Sequence, residues 1–206
     1  MPWLYLLALA LQAHDMHAGH EMPGPDPVSL FNHHLAGVLV VFLGGFSYLE
    51  HTKLGKQRWV KFLWPLPLLV LGVFLMIYSD NPQFWPFKLS RWARHWTAVQ
   101  HKIFALVAIL LGLIELFRRT GRLKHRAWPH VLNTLMLGAG VFLIFHRGGH
   151  HSSIIHIQHM GMGTVAVVLS LLKTVADLRT RLRWLSLYVV PALIVTLGLQ
   201  LAFYVE

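Results

Sequence analysis

Six nearly unbroken apolar runs, at about 29–49, 62–78, 98–117, 130–146, 154–174 and 185–204, leave this chain few ways to fold. Each is about 17–21 residues long, and about 20 residues rising 1.5 Å each cross the hydrocarbon core of a bilayer. Backbone groups in lipid have no water to bond and must satisfy one another, so such runs are expected as helices. The rest of the composition agrees. The chain of 206 residues is 55% hydrophobic and 13% charged, where a soluble domain carries about 25% charged residues. Too little polar surface remains to coat a globule. The expected fold is therefore all-α: a polytopic membrane helix bundle of about six transmembrane helices over residues 29–206, with the lipid bilayer as its surroundings. Pro65, Pro67 and Pro191 fall near expected helix starts, where proline is tolerated. Gly37, Gly44, Gly45, Gly138 and Gly140 are expected to let helices approach closely.

Charge gives the orientation. The net charge of +10 could suggest nucleic acid, but Lys and Arg sit in short clusters between apolar runs, so no nucleic-acid partner is expected. Lys53, Lys56, Arg58 and Lys61 follow the first run. Arg118, Arg119, Arg122, Lys124 and Arg126 follow the third, and Lys173, Arg179, Arg181 and Arg183 the fifth. That is 13 of the 18 Lys and Arg on one side. Lys88, Arg91, Arg94, Lys102 and Arg147 fall on the other. The positive-inside rule then places both termini outside the cytoplasm. Trp59, Trp64, Trp85, Trp92, Trp96, Trp128 and Trp184 near run ends suit an interfacial aromatic belt.

The N-terminus points the same way. Residues 1–13 (MPWLYLLALALQA) resemble the apolar core of a secretory signal without its basic leading segment. Residues 14–28 (HDMHAGHEMPGPDPV) are polar and rich in Pro and Gly, and are expected as a flexible tail. His14, Met16, His17, His20 and Met22 interleave along it.

The histidines segregate against the basic residues. His51, His125 and His130 lie on the cytoplasmic side of this topology. The outer side holds His14, His17, His20, His33, His34, His95, His101, His146, His150, His151, His156 and His159, which is twelve of the 15. His33 and His34 open the first run, His101 the third, His146 closes the fourth, and His156 and His159 share a face early in the fifth. Four helices thus bring imidazoles to one level. Ionisable groups at that depth tend to face the bundle interior and pair, so several facing inward form a site. Imidazole suits Cu, Zn, Fe and Ni, and thioether adds a preference for Cu(I). The chain has no Cys, which removes thiolate sites. Met160 beside His159, and the His/Met tail, point to copper over zinc. The segment 146–163 (HRGGHHSSIIHIQHMGMG) repeats the tail's composition at the bundle mouth. Met76, Met136 and Met162 are expected to pack, Glu115 to pair with Arg118 or Arg119, and Asp80 to serve a turn.

The series FNHHLAGVLVVFLGG (31–45), LWPLPLLVLGVFLMIYSDNPQFWPF (63–87), QHKIFALVAILLGLIE (100–115), LIFHRGGHH (143–151) and IQHM (157–160) resembles bacterial copper-resistance membrane proteins of the CopD-like kind. The similarity covers most of residues 30–172 and rests on the order of short motifs. It implies copper binding at the cell envelope through His33, His34, His101, His146 and His159. That family's pattern carries a second histidine two residues after the one closing helix 4. This chain has Gly148 there, with His150 and His151 beyond.

The expectation is a copper-binding protein of the bacterial inner membrane, acting in copper tolerance, uptake or delivery, with a periplasmic copper chaperone as protein partner. The tail would capture ions and pass them through the mouth loop to the buried set. Few polar residues mark the inner half of the helices (Ser47, Asn133, Thr134, Thr164 and Ser170), which favours binding or delivery over transport. No ATP-binding motif or substrate pocket argues for an enzyme. The alternative is a b-type haem electron carrier, since haem takes two histidines from facing helices and the outer set could supply them.

Overall fold

The computed structural model describes residues 27–79, 96–146 and 153–205. His14, Met16, His17, His20, Met22, His95, His150, His151, Asp80 and the leader-like residues 1–13 lie outside the described residues. Six helices follow one another: α1 (Pro27–Leu49), α2 (Val60–Tyr78), α3 (Trp96–Arg119), α4 (Trp128–Ile144), α5 (Ser153–Leu178) and α6 (Leu185–Ala202). All but α4 are long and apolar enough to cross a membrane, and α4 is an apolar helix of 17 residues. The described residues contain no strand. The first helix begins at Pro27, two residues inside the expected tail.

Proline shapes two of the helices. Pro65 has no N–H and its ring crowds the carbonyl four residues back, so α2 is two pieces, Val60–Leu63 and Pro65–Tyr78, meeting at Trp64. Pro191 likewise withholds a donor, and α6 opens with a π-turn over Leu185–Val189. At the end of α3, Gly121 takes φ +76°. Arg122 N–H then bonds Phe117 C=O at 2.8 Å, the left-handed cap that stops a helix.

The helices form a closed ring in chain order. α1 packs most extensively on α6, α2 on α3 and α4 on α5, and contacts α1–α2, α3–α4 and α5–α6 complete the circle. Each extensive pair crosses at a glycine, and in α1–α6 and α4–α5 a second glycine faces it. A Cβ on Gly198 would lie 2.9 Å from Gly37 O, one on Gly72 2.9 Å from Ala105 O, and one on Gly163 2.7 Å from Gly140 O. Gly37, Gly44 and Gly140 thus do the expected work. Gly45 and Gly138 do not, because nothing lies within 4 Å of either.

The ring is filled at its waist. Ala36, Val40, Leu43, Leu68, Leu71, Leu111, Leu132, Leu169, Val190 and Ile194, from all six helices, make one buried cluster. The outer faces are as apolar as this core. Leu66, Val70 and Val73 on α2, and Ile103, Leu106 and Leu110 on α3, recur at helical spacing and are all exposed. Water would penalise so large an apolar surface, and lipid does not. Thr164 and Thr196, exposed on this surface, bond Met160 O and Ala192 O one turn back, which satisfies a hydroxyl where no water is available. Trp59 and Trp184 are exposed beside helix starts, as a belt requires. Trp64 instead packs against the core, under the Arg119 guanidinium at 5.3 Å.

Candidate metal centre

One end of the ring gathers the histidines. His33 from α1, His159 from α5, His146 just past α4 and His101 from α3 form a chain of ring contacts. Their centres are 5.9 Å (His33–His159), 4.7 Å (His146–His159) and 6.4 Å (His101–His146) apart. His146 and His159 are 4% and 5% exposed, within helices whose outer faces are apolar.

Hydrogen bonds fix which nitrogens remain. His33 Nδ1 is 2.8 Å from Ser29 O, and His159 Nδ1 is 2.9 Å from Ile155 O. A carbonyl only accepts, so each Nδ1 carries the proton and donates it. Each Nε2 is left as the lone-pair nitrogen, which is the arrangement that holds a ligating imidazole in one tautomer and orientation. His34 differs. Its Nε2 lies 2.9 Å from Tyr204 O, so it donates there and ties the end of α6 to α1. His146 Nδ1 and His156 Nδ1 are buried with no hydrogen-bond partner among the described residues. An unmet buried polar atom costs about 1–3 kcal/mol, and each such atom in a folded chain calls for a reason.

Tyr204, which the sequence did not single out, completes the enclosure. It is 2% exposed. Its ring stacks on His33 at 3.9 Å and meets His159 edge-on at 5.6 Å. Gln158 holds the next residue at both backbone groups, accepting from Val205 N (3.0 Å) and donating to Val205 O (2.7 Å).

The methionines exchange places. Met160, expected at the site, is 43% exposed on the outer face of α5. Met162 is 1% exposed and packs with Ile155 and Tyr204 beneath the histidines. Helical phase explains this. Met162 is three residues from His159 and shares its face, whereas Met160 is turned about 100° away.

No protein-family model, curated protein or solved structure matches the chain.

Among the described residues, no three His or carboxylate side chains already stand at coordinating spacing. Pair by pair, the ring distances can be set beside those of two imidazoles on one ion. A metal–nitrogen bond of about 2.0–2.1 Å puts each ring centre about 3.2 Å from the metal. Two rings on one ion then stand about 4.5–6.4 Å apart as their angle opens from 90° to 180°. The three contacts span this interval.

The opposite end of the ring holds a feature that single residues did not announce: a cavity of about 230 Å³ whose wall draws on all six helices. Glu115, 3% exposed, receives Arg118 through two bonds (2.8 and 2.7 Å) and Arg119 through a third. Arg119 also pairs with Glu50 of α1. Across the cavity Asn133 Nδ2 donates to Asp177 (3.0 Å), which Lys173 also meets. Ser170 Oγ donates to Asn133 O at 2.5 Å. The expected pairing of Glu115 is present. Of the few polar residues expected in the inner half, Ser47, Asn133 and Ser170 sit at this end and Thr134 and Thr164 face outward, but Glu50, Glu115, Arg118, Arg119, Lys173 and Asp177 add an ion-paired set that the expectation left out. His51 also lines the cavity. Burial, and next the Arg183 charge, hold its imidazole below the ordinary value, which favours the neutral form.

Proposed function

We propose that this protein binds copper through His33, His101, His146 and His159, at the extracytoplasmic end of a helical bundle in a bacterial inner membrane, and acts in copper tolerance, uptake or delivery. The observation that carries the reading is the contiguous run of four imidazoles from α1, α3, α4 and α5, two of them with Nδ1 tied to a backbone carbonyl. That leaves nitrogen lone pairs in a buried setting with no carboxylate beside them among the described residues. Such a set is neutral and moderately soft, and copper is the metal that prefers it most in the divalent series. The resemblance of the motifs around these same histidines to copper-resistance proteins points the same way. His150, His151 and the tail residues His14, Met16, His17, His20 and Met22 act in this reading as collectors that feed the buried set and receive ions from a periplasmic chaperone.

Ring contact favours an ion over haem. Two axial imidazoles hold a porphyrin plane between them, but His146 meets His159 directly at 4.7 Å and Tyr204 covers His33. The polar cavity at the other end does not by itself favour transport, since each of its carboxylates is already bonded to a basic side chain.

Metal analysis of purified protein tests the reading. Wild-type protein should retain copper stoichiometrically, and a form lacking residues 14–26 should retain less but not none. His146→Ala and His159→Ala should each remove the residual ion while leaving a folded bundle. Full copper content in both variants, or a Soret band in the wild type, would overturn the assignment.

A further inference from the structure

We propose that Phe203–Val205, the stretch just past α6, is a movable cover over the histidine set, and that its opening sets the rate at which copper enters and leaves. The inference rests on the copper reading and adds the step that controls exchange. It starts from an alternation in exposure. Phe203 is 76% exposed, Tyr204 2% and Val205 55%. Two apolar side chains stay outside while the aromatic ring between them is turned in. The helix does not impose this, since α6 ends at Ala202 and Phe203 takes φ −109° and ψ 19° as its cap. The Tyr204 ring then stacks on His33, with centres 3.9 Å apart and 19° between planes, and meets His159 edge-on at 5.6 Å. These are the two imidazoles whose Nδ1 is tied to a carbonyl, leaving Nε2 as the lone-pair nitrogen. A ring stacked on one and set against the other closes the approach to both on that side.

The anchors of the cover stand beside the ligands it hides. His34 Nε2 meets Tyr204 O at 2.9 Å, and Gln158 bonds both backbone groups of Val205 at 3.0 and 2.7 Å. His34 follows His33, and Gln158 precedes His159. One residue along a helix turns by about 100°, so each ligand faces the site while its neighbour faces the cover. His34, expected as a ligand, takes this second task. The cover is also the cheapest part of the site to move. The Gln158 bonds are exposed, so water can replace them when they break and the net loss is small. Lifting Tyr204 uncovers one ring packed on Ile155 and Met162, whereas moving a helix would open the core shared by all six. Segments held by exposed hydrogen bonds and few buried contacts open first. His146 and His159 are buried, so an ion reaches their lone pairs only when something opens.

Gln158→Ala tests the cover on the full chain in detergent. It removes both bonds to Val205 and touches no proposed ligand. Copper uptake, and copper release to a chelator, are followed by stopped flow. Both rates should rise about tenfold with copper content and Kd unchanged, because a looser cover speeds entry and exit alike. Faster release without faster uptake would mean that Gln158 supports the binding geometry, and overturns the cover. A second readout needs no metal. Diethyl pyrocarbonate acylates an accessible imidazole nitrogen, so in metal-free protein His33 and His159 should react about tenfold faster in the variant. His125, exposed in the loop after α3, should react equally in both proteins. Val205→Pro removes the N–H that Gln158 accepts, should act in the same direction, and decides if Gln158→Ala does not fold. Copper held normally with exchange and labelling both unmoved sinks the cover and spares the copper reading. No copper in the wild type sinks the copper reading, and the labelling of His33 then decides the cover alone.

Discussion

At the scale of single residues, the histidine grouping was legible because each imidazole sits near a helix end at the same side of the bilayer. Sequence order and helix length alone bring such positions to one level. What sequence order lacks is phase. Met160 was chosen for its adjacency to His159, but adjacency along a helix means divergence around it, and Met162 one turn on is the buried thioether. This separates two substitutions. Met160→Leu replaces a lipid-facing side chain with another apolar one and should leave both thermal midpoint and copper content unchanged. Met162→Ala empties a site that is 1% exposed and should cost about 2–5 kcal/mol, read as a lowered midpoint in detergent. Loss of copper on Met160→Leu would mean that α5 is rotated from the orientation described. Tyr204 was illegible for another reason: nothing local marks a residue two positions past the last helix as the cover of His33, at the far end of the chain.

At the scale of the element, run lengths foretold the helices to within a few residues, because lipid permits only a closed backbone ladder across its core. The crossings were half legible. A glycine in a membrane helix signals close approach, yet two of the five glycines chosen face open space, while Gly72, Gly112, Gly163 and Gly198 do the packing. Which side of the helix a glycine occupies depends on the partner, and the partner is not written locally. Two alanine substitutions in neighbouring helices make the distinction measurable. In Gly138→Ala the new methyl meets nothing within 4 Å, and a helix gains up to about 1 kcal/mol when alanine replaces glycine. In Gly163→Ala the methyl would stand 2.7 Å from Gly140 O and Ile144 N. Backbone cannot swing aside, so α4 and α5 must separate, at a cost of about 1–3 kcal/mol. Unfolding midpoints should therefore move in opposite directions. A common direction would contradict the described α4–α5 crossing.

At the scale of the whole molecule, two polar ends are separated by an apolar waist, and only one end could be read from sequence. His33 and Ser47 are 14 residues apart on α1, so the ends stand about 21 Å apart along the axis. The inner end escaped because its bonds join distant residues, 69 apart for Glu50 with Arg119 and 44 for Asn133 with Asp177. Read singly, each looked like an isolated polar group. Which end meets the cytoplasm decides how the histidine end works. If basic loops stay inside, the histidines face the extracytoplasmic side, as the copper reading requires, and the ion-paired cavity faces the cytoplasmic leaflet. The absence of Cys makes this easy to measure, because any introduced thiol is the only one. Leu54→Cys and Lys124→Cys place a thiol in the loops after α1 and α3. Phe203→Cys places one beside the histidine end, at a position 76% exposed. With a membrane-impermeant maleimide on intact spheroplasts, Phe203→Cys should label at once, and the other two only after the membrane is opened. The reverse pattern would turn the imidazoles toward the cytoplasm, where residues 14–26 could capture no external ion and the site could only receive copper from within.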